Sequence, residues 1–380
     1  MGVAPSGNNE MSISQRAGAI VAAHEGAMVQ AVLAYWNRYS SSSPYVAQII
    51  LPYLAFAAYD SCHLLNQCGA SLQPAAFISE IRCGLKYLNG GGGFQAYRES
   101  VEKAAAFQRR CFGTSSTDNR IDRWLRRFRR DMSIVFVDDI PFGSDWITSR
   151  FCGYEMTNGA ADQGADYQRI GYKIGECSAG IVALASNLGI SNHGLPEMNI
   201  TAVDASFDHV IMPIAEMCNS ALTDAISVFF LELALGINAV NAFSKYGLMD
   251  EVAWQKHMLV TLYHGCASFK ALGGMLNHGE YEGMASDVLK EFLARVFPRG
   301  VRKVIERAKP LRNALVHYDF SEVLVGWAPT DDRSTLDEVV KRTTGMETCE
   351  EFSKFMHEES VRVSNMLLEL FQMPRLKSSC

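Results

Sequence analysis

The chain has 380 residues, of which 48% are hydrophobic, 20% charged and 10% aromatic, a composition that excludes a disordered chain. At about 100–200 residues per domain this length suggests two domains. A net charge of −6 excludes a general attraction to nucleic acid, so any such contact needs a local basic patch.

Residues 11–39 read as a helix, with Ile13, Ile20, Val21, Met28, Val32 and Tyr35 at near-helical spacing, ended by Ser40-Ser41-Ser42-Ser43-Pro44. A second helix is expected from Tyr45 to about Gln67, with Pro52 kinking it or shifting its start. Helices over 74–88 and 94–111 flank Asn89-Gly90-Gly91-Gly92-Gly93, a linker and not a phosphate loop, since no Gly-Lys-Ser/Thr follows. Ser133-Ile134-Val135-Phe136-Val137 is the best strand candidate, and Asp138 to Gly143 a turn. The glycine-rich 150–200 stretch holds a helix at 168–187, and the polar cluster from Ser191 to Asn199 marks a domain boundary.

Beyond it, a long apolar helix is expected from Asp204 to about Phe243, restarted at Pro213. Its most apolar part, Ala225 to Phe243, contains Glu232, Asn238 and Asn241, which favours a buried core helix over a membrane span. Helices from Asp250 to about Met275, Ser286 to Phe297 and Val301 to Tyr318 follow, then a strand-like Glu322-Val323-Leu324-Val325, a polar stretch and a last amphipathic helix from about Thr348 to Phe371. The fold class expected is mainly α: a mostly helical N-terminal domain, 1–195, with a small β element, and a helical bundle over 200–375.

Ten cysteines, none in a Cys-x-x-Cys pair, are scattered through apolar segments. They read as free thiols in a reducing, cytoplasmic setting, with no zinc site and no metal or other cofactor implied. Met1-Gly2 matches a bare myristoylation pattern, and no secretory leader or membrane association is expected.

The chemistry concentrates in Pro310-Leu311-Arg312-Asn313-Ala314-Leu315-Val316-His317-Tyr318-Asp319. On a helix, Asn313 and His317 fall about 40° apart, one turn from each other, whereas Arg312 lies about 140° from His317. Histidine can act as acid or base near neutral pH, and arginine can grip two phosphate oxygens at once. Pro310 means that the motif helix is kinked or begins there, and a beginning would leave free N–H groups for an anion beside Arg312 and Asn313.

This Arg-Asn-x-x-x-His pattern, followed by Tyr-Asp and a final amphipathic helix, resembles the signature of HEPN-type ribonucleases. The resemblance covers the motif and the helix order of 200–375, not residues 1–195. It implies a metal-independent endoribonuclease with Arg312 stabilising phosphate charge, His317 as the acid–base residue and Asn313 positioning. It also implies a homodimer through the C-terminal bundle, so that two motifs face each other, and roles in stress or defence. The alternative is a non-catalytic module that dimerises or binds RNA or protein, with residues 1–195 binding a protein partner.

Three weaker signals remain. Six arginines fall within residues 120–130, and Arg120, Arg123, Arg126, Arg127 and Arg130 offer a nucleic-acid surface opposite an apolar stripe of Ile121, Trp124, Leu125 and Phe128. The same helix could instead be solvated and paired with Asp131, Asp138 and Asp139. Asp60 and His63 share a helix face at a spacing that metal ligands use, and His257 and His264 stand seven apart, but lone pairs of this kind are more often packing residues. Gly175-Glu176-Cys177-Ser178-Ala179-Gly180 resembles a nucleophile turn without its register or preceding strand.

Overall fold

The computed structural model describes residues 12–67, 73–90, 92–111, 132–151, 163–192, 194–207, 210, 214, 223–277, 287–325 and 332–371. Among the described residues the fold is mainly α, with thirteen α-helices and one three-stranded antiparallel sheet. The first half contains α1 (Ile13–Arg38), α2 (Ser43–Gln67), α3 (Ala76–Gly84), a 3-10 turn (Tyr87–Asn89) and α4 (Gly93–Cys111). Strands β1 (Met132–Val137) and β2 (Ile140–Ser144), then α5 (Asp145–Phe151), α6 (Gln163–Leu188) and β3 (Ile200–Ala205), lead to α7 (Thr223–Lys245) and α8 (Glu251–Asn277). The chain continues through α9 (Asp287–Val296), α10 (Arg299–Arg307), α11 (Lys309–His317), α12 (Asp332–Thr344) and α13 (Cys349–Leu370).

Local chemistry accounts for several of these boundaries. Ser12 and Gln15 form a reciprocal capping box at the start of α1, and Thr348 accepts from the Glu351 amide at the start of α13. Asp250 caps α8 by accepting from the Ala253 amide at 3.0 Å. Asp138 and Asp139 both take positive φ in the two-residue turn between β1 and β2, the geometry that matches strand twist and that aspartate tolerates.

Five expectations need correction, the first being the turn from Asp138 to Gly143: only Asp138 and Asp139 turn, and Ile140 to Ser144 pair with β1 as β2. Residues 200–205 form β3, not the start of a long helix, because they pair with all of β1, from Ile200 opposite Val137 to Ala205 opposite Met132. Val301 to Tyr318 is two helices, since Pro310 removes a donor and the chain breaks at Ala308. Residues 322–325 form turns, with the Leu324 amide donating to Phe320 O at 3.0 Å, and the polar stretch after them contains α12. The short α5 also lies where no helix is read from sequence.

One hydrophobic cluster unites Val21, Phe56 and Ile81 with Phe229, Leu259 and Val316. Helices α1 and α2 pack against α11, α1 also against α8, and β3 pairs with β1. Residues 1–195 and 200–375 therefore share a core, and the polar cluster at 191–199 is the connection into β3. Close approach makes this possible: a Cβ on Gly18 of α1 would lie 1.9 Å from the Tyr318 carbonyl, and one on Gly26 would lie 2.0 Å from that of Ile181 in α6. Helices α1 and α7 are long and apolar enough to cross a membrane by length and composition, and most of each is buried within the fold.

Candidate active site

The site is organised by two antiparallel helices. On α8, Lys256 and His257 stand two turns before Tyr263 and His264, about 10 Å along the axis. On α11 the order is reversed: Arg312 meets Tyr263 and His264, while Tyr318, just past the helix end, meets Lys256. Tyr318 reaches that place because it closes α11 in the left-handed conformation, φ 51°, against the glycine notch of α1.

The deeper level is a cluster of charges removed from water. Lys256 Nζ lies 2.7 Å from Glu25 Oε2 and 3.6 Å from Asp60 Oδ2, and all three side chains are essentially inaccessible. His257 Nε2 stands 3.1 Å from the other Glu25 oxygen, and the Tyr318 hydroxyl donates to Glu25 Oε2. Arg82 of α3 donates from Nε to Asp60 Oδ1 at 3.1 Å, with its guanidinium over the Phe56 and Tyr59 rings. Burial pushes the Glu25 carboxyl up, but the Lys256 charge and the His257 bond outweigh it and bring it down to about 2. Burial wins at Asp60, whose carboxyl is raised to about 6 against the pull of Lys256 and Arg82. Two cations and two carboxylates thus offset each other, and burial keeps His257 below its usual range.

The upper level carries the motif. Arg312 Nη2 donates to His264 Nε2 at 2.7 Å and Nη1 to Asn313 Oδ1 at 2.7 Å, with the guanidinium 5.1 Å from the Tyr263 ring centroid. Burial, then Arg312, Lys86 and Arg82, push His264 down to about 3, so its ring is neutral at pH 7. The other ring nitrogen, Nδ1, stands 3.4 Å from the Asn89 side-chain nitrogen Nδ2. Arg312 and Asn313 are half-buried, and His317 is exposed.

His317 sits in a field of cations. Partial burial, then Arg82, Arg312, Lys256 and His63, hold its pKa below the ordinary histidine value, so the neutral ring dominates at pH 7. His63 lies on α2, exposed, with its ring 5.0 Å from that of Tyr59. One face of α2, Phe56, Tyr59, Asp60 and His63, thereby serves both levels.

Arg312 bonds Asn313 and turns toward His264 on α8, while His317 stands exposed at the end of the same helix within the electrostatic reach of Arg312. The Arg312 amide donates to Ala308 O at 2.8 Å, so it is not free for an anion as a helix start at Pro310 suggests. The five arginines Arg120, Arg123, Arg126, Arg127 and Arg130 lie outside the described residues, as does Met1-Gly2. Cys177 and Ser178 lie within α6, where the Cys177 thiol faces Cys62 and Ser178 Oγ is buried without a partner. They form no nucleophile turn.

Sequence reasoning misses Glu25, Arg82 and Lys256. A signal was present, since Glu25 and Lys256 are isolated charges within the apolar faces of α1 and α8, where a buried partner is required. Among the described residues no group of three or more His, Cys, Asp or Glu is placed to hold a metal ion, and Asp60 is committed to Arg82 and Lys256.

Comparison of the chain with protein-family models, with curated proteins and with solved structures finds no match.

Proposed function

We propose that the chain is a metal-independent endoribonuclease of the HEPN type, cleaving RNA by attack of the 2′-hydroxyl on the adjacent phosphate. The observation that carries this reading is the exposed, neutral His317 standing among Arg82, Arg312 and Lys256. A site for a phosphodiester needs positive charge and a proton acceptor next to it; Arg312, whose side-chain partners are the neutral His264 and Asn313, supplies the first and His317 the second.

In this reading His317 takes the 2′-hydroxyl proton as the 2′-oxygen bonds to phosphorus. Arg312 and Arg82 stabilise the charge that grows on the phosphoryl oxygens. His264 is a positioning residue: a neutral acceptor aims the guanidinium without neutralising it, which a carboxylate there would do. Asn313 holds the other Arg312 nitrogen. The motif's resemblance further implies a homodimer through the C-terminal bundle, and a stress or defence role in the cytoplasm.

A second reading, a non-catalytic module that binds RNA or protein, is favoured by one feature: the Arg312 guanidinium is engaged by His264, Asn313 and Tyr263. Product chemistry separates the two. Labelled single-stranded RNA incubated with the protein in EDTA should yield fragments ending in 2′,3′-cyclic phosphate and 5′-hydroxyl. A 2′-deoxy residue at the cut position should block cutting there. Binding without cleavage would favour the module, and cleavage that persists at the deoxy position would rule out the 2′-hydroxyl route.

A further inference from the structure

Cleavage by the 2′-hydroxyl moves two protons, one off the attacking oxygen and one onto the leaving 5′-oxygen. His317 supplies only one group. The motif's resemblance places the other on a second copy of the chain, yet the fold carries a second exposed histidine, His63, on the neighbouring helix α2.

Resting on the nuclease reading, we propose that His63 of the same chain is the general acid that protonates the leaving 5′-oxygen. Helix α2 packs directly on α11, and Lys256 meets both Phe56 and Asp60 of α2 and the Tyr318 ring at the end of the motif helix. His63 is one turn beyond Asp60, the carboxylate that anchors Arg82 at 3.1 Å. Its ring stands 5.0 Å from Tyr59, and Tyr59 in turn lies 4.6 Å beneath the Arg82 guanidinium. Arg82 therefore rests on the Asp60 carboxylate and the Tyr59 ring, and the Tyr59 ring also meets that of His63. His63 is exposed and in none of the buried ion pairs, so its imidazole is open to a substrate.

The charges around the pair suit this division of labour. Facing it are Arg82 from α3, Lys256 from α8 and Arg312 from α11, with Asp60 buried behind Arg82. The two rings are close enough that a proton on His63 disfavours one on His317. The reaction needs His317 neutral and His63 carrying a proton at its start. In the step itself the 2′-oxygen bonds to phosphorus and its proton goes to His317. The bond from phosphorus to the 5′-oxygen breaks, and that oxygen takes the His63 proton, leaving a 2′,3′-cyclic phosphate and a 5′-hydroxyl. Water restores the two histidines by returning a proton to His63 and removing one from His317.

The test compares two substrates that differ only in how much the leaving group needs a proton: an RNA dinucleotide, and a ribonucleoside 3′-(4-nitrophenyl phosphate), whose phenolate leaves unprotonated. His63→Ala and His63→Gln should slow RNA cleavage by about 10²–10⁴-fold and leave cleavage of the aryl ester close to wild type. His317→Ala should lose both. Because His63 is exposed, both variants should keep the wild-type melting temperature. Full RNA cleavage by the His63 variants would overturn the assignment while leaving the nuclease reading intact, since the acid would then come from elsewhere, such as the partner subunit. An equal loss on both substrates would also overturn it, by showing a role other than leaving-group protonation. A wild type inert on both substrates would overturn the nuclease reading and this assignment together.

Discussion

Two clusters of buried charge hold this fold together, and they differ in what lies above them. Around α7, Arg150 pairs with Glu232, and the Tyr97 hydroxyl donates to the other Glu232 oxygen at 2.7 Å. The Arg150 guanidinium is further covered by the Tyr97 and Phe151 rings. Burial raises the Glu232 carboxyl against the pull of Arg150, and the whole group is sealed inside the core. At α11, Glu25, Asp60, Lys256 and Arg82 are balanced in the same way, but the cluster opens upward into Arg312, His317 and His63. The first is a closed pair whose charge is used up internally. The second is a neutral foundation for a surface with spare positive charge, and that surplus distinguishes a candidate site from a structural ion pair.

The sharpest way to break this comparison is to remove one buried charge. Lys256→Met should strand Glu25 and Asp60 in the core and destabilise the protein by about 3–5 kcal/mol, read from the midpoint of urea unfolding. A loss under about 1 kcal/mol would mean that the cluster is hydrated and not a dry foundation. Next in size, Arg312→Ala should reduce RNA cleavage by roughly 10²–10³-fold with much less effect on folding, because only its upper-level contacts are lost.

The pH dependence is smaller and has a definite sign. His264 has a folded pKa of about 3, below its ordinary value of 6.5, so its stabilising contribution is complete above pH 6.5 and is lost as pH falls toward 3. Relative to His264→Gln, the wild type should lose up to about 1.4 kcal/mol per pH unit across that window. Asp60 acts in the opposite sense between about pH 6 and 4, since its folded pKa is raised. The comparison with the variant, not the wild-type curve alone, therefore isolates His264. A pH-independent difference would mean that the ring is not neutral and does not accept from Arg312. The smallest effect is expected at the half-exposed His24–Asp250 pair, 2.7 Å apart at the start of α8. His24→Ala should cost under about 1 kcal/mol, as a pair without a buried foundation should.

How much of this was legible in the sequence depends on the range of the interaction. The α1, α6 and α13 helices could be read from apolar spacing, and β1 from its β-branched run. The motif residues Arg312, Asn313 and His317 are legible because their spacing is local to one helix. β3 was not legible: Ile200 to Ala205 is a strand only because β1 lies beside it, and pairing at that separation leaves no mark in the segment itself. The foundation of the site was hidden for the same reason. Glu25 and Lys256 are 231 residues apart, and Asp60 and His63 look like an isolated pair until Arg82 and α11 are placed against them.

The central claim, that the surface above α11 cuts RNA, is tested most directly by incubating labelled single-stranded RNA in EDTA with wild type, His317→Ala and Arg312→Ala. The account predicts cleavage by the wild type, a severe loss in both variants, and folding intact in all three by circular dichroism. Equal cleavage by all three would contradict it, because the activity would then lie at another site. Three folded and equally inert proteins would contradict it as well, in favour of a binding module.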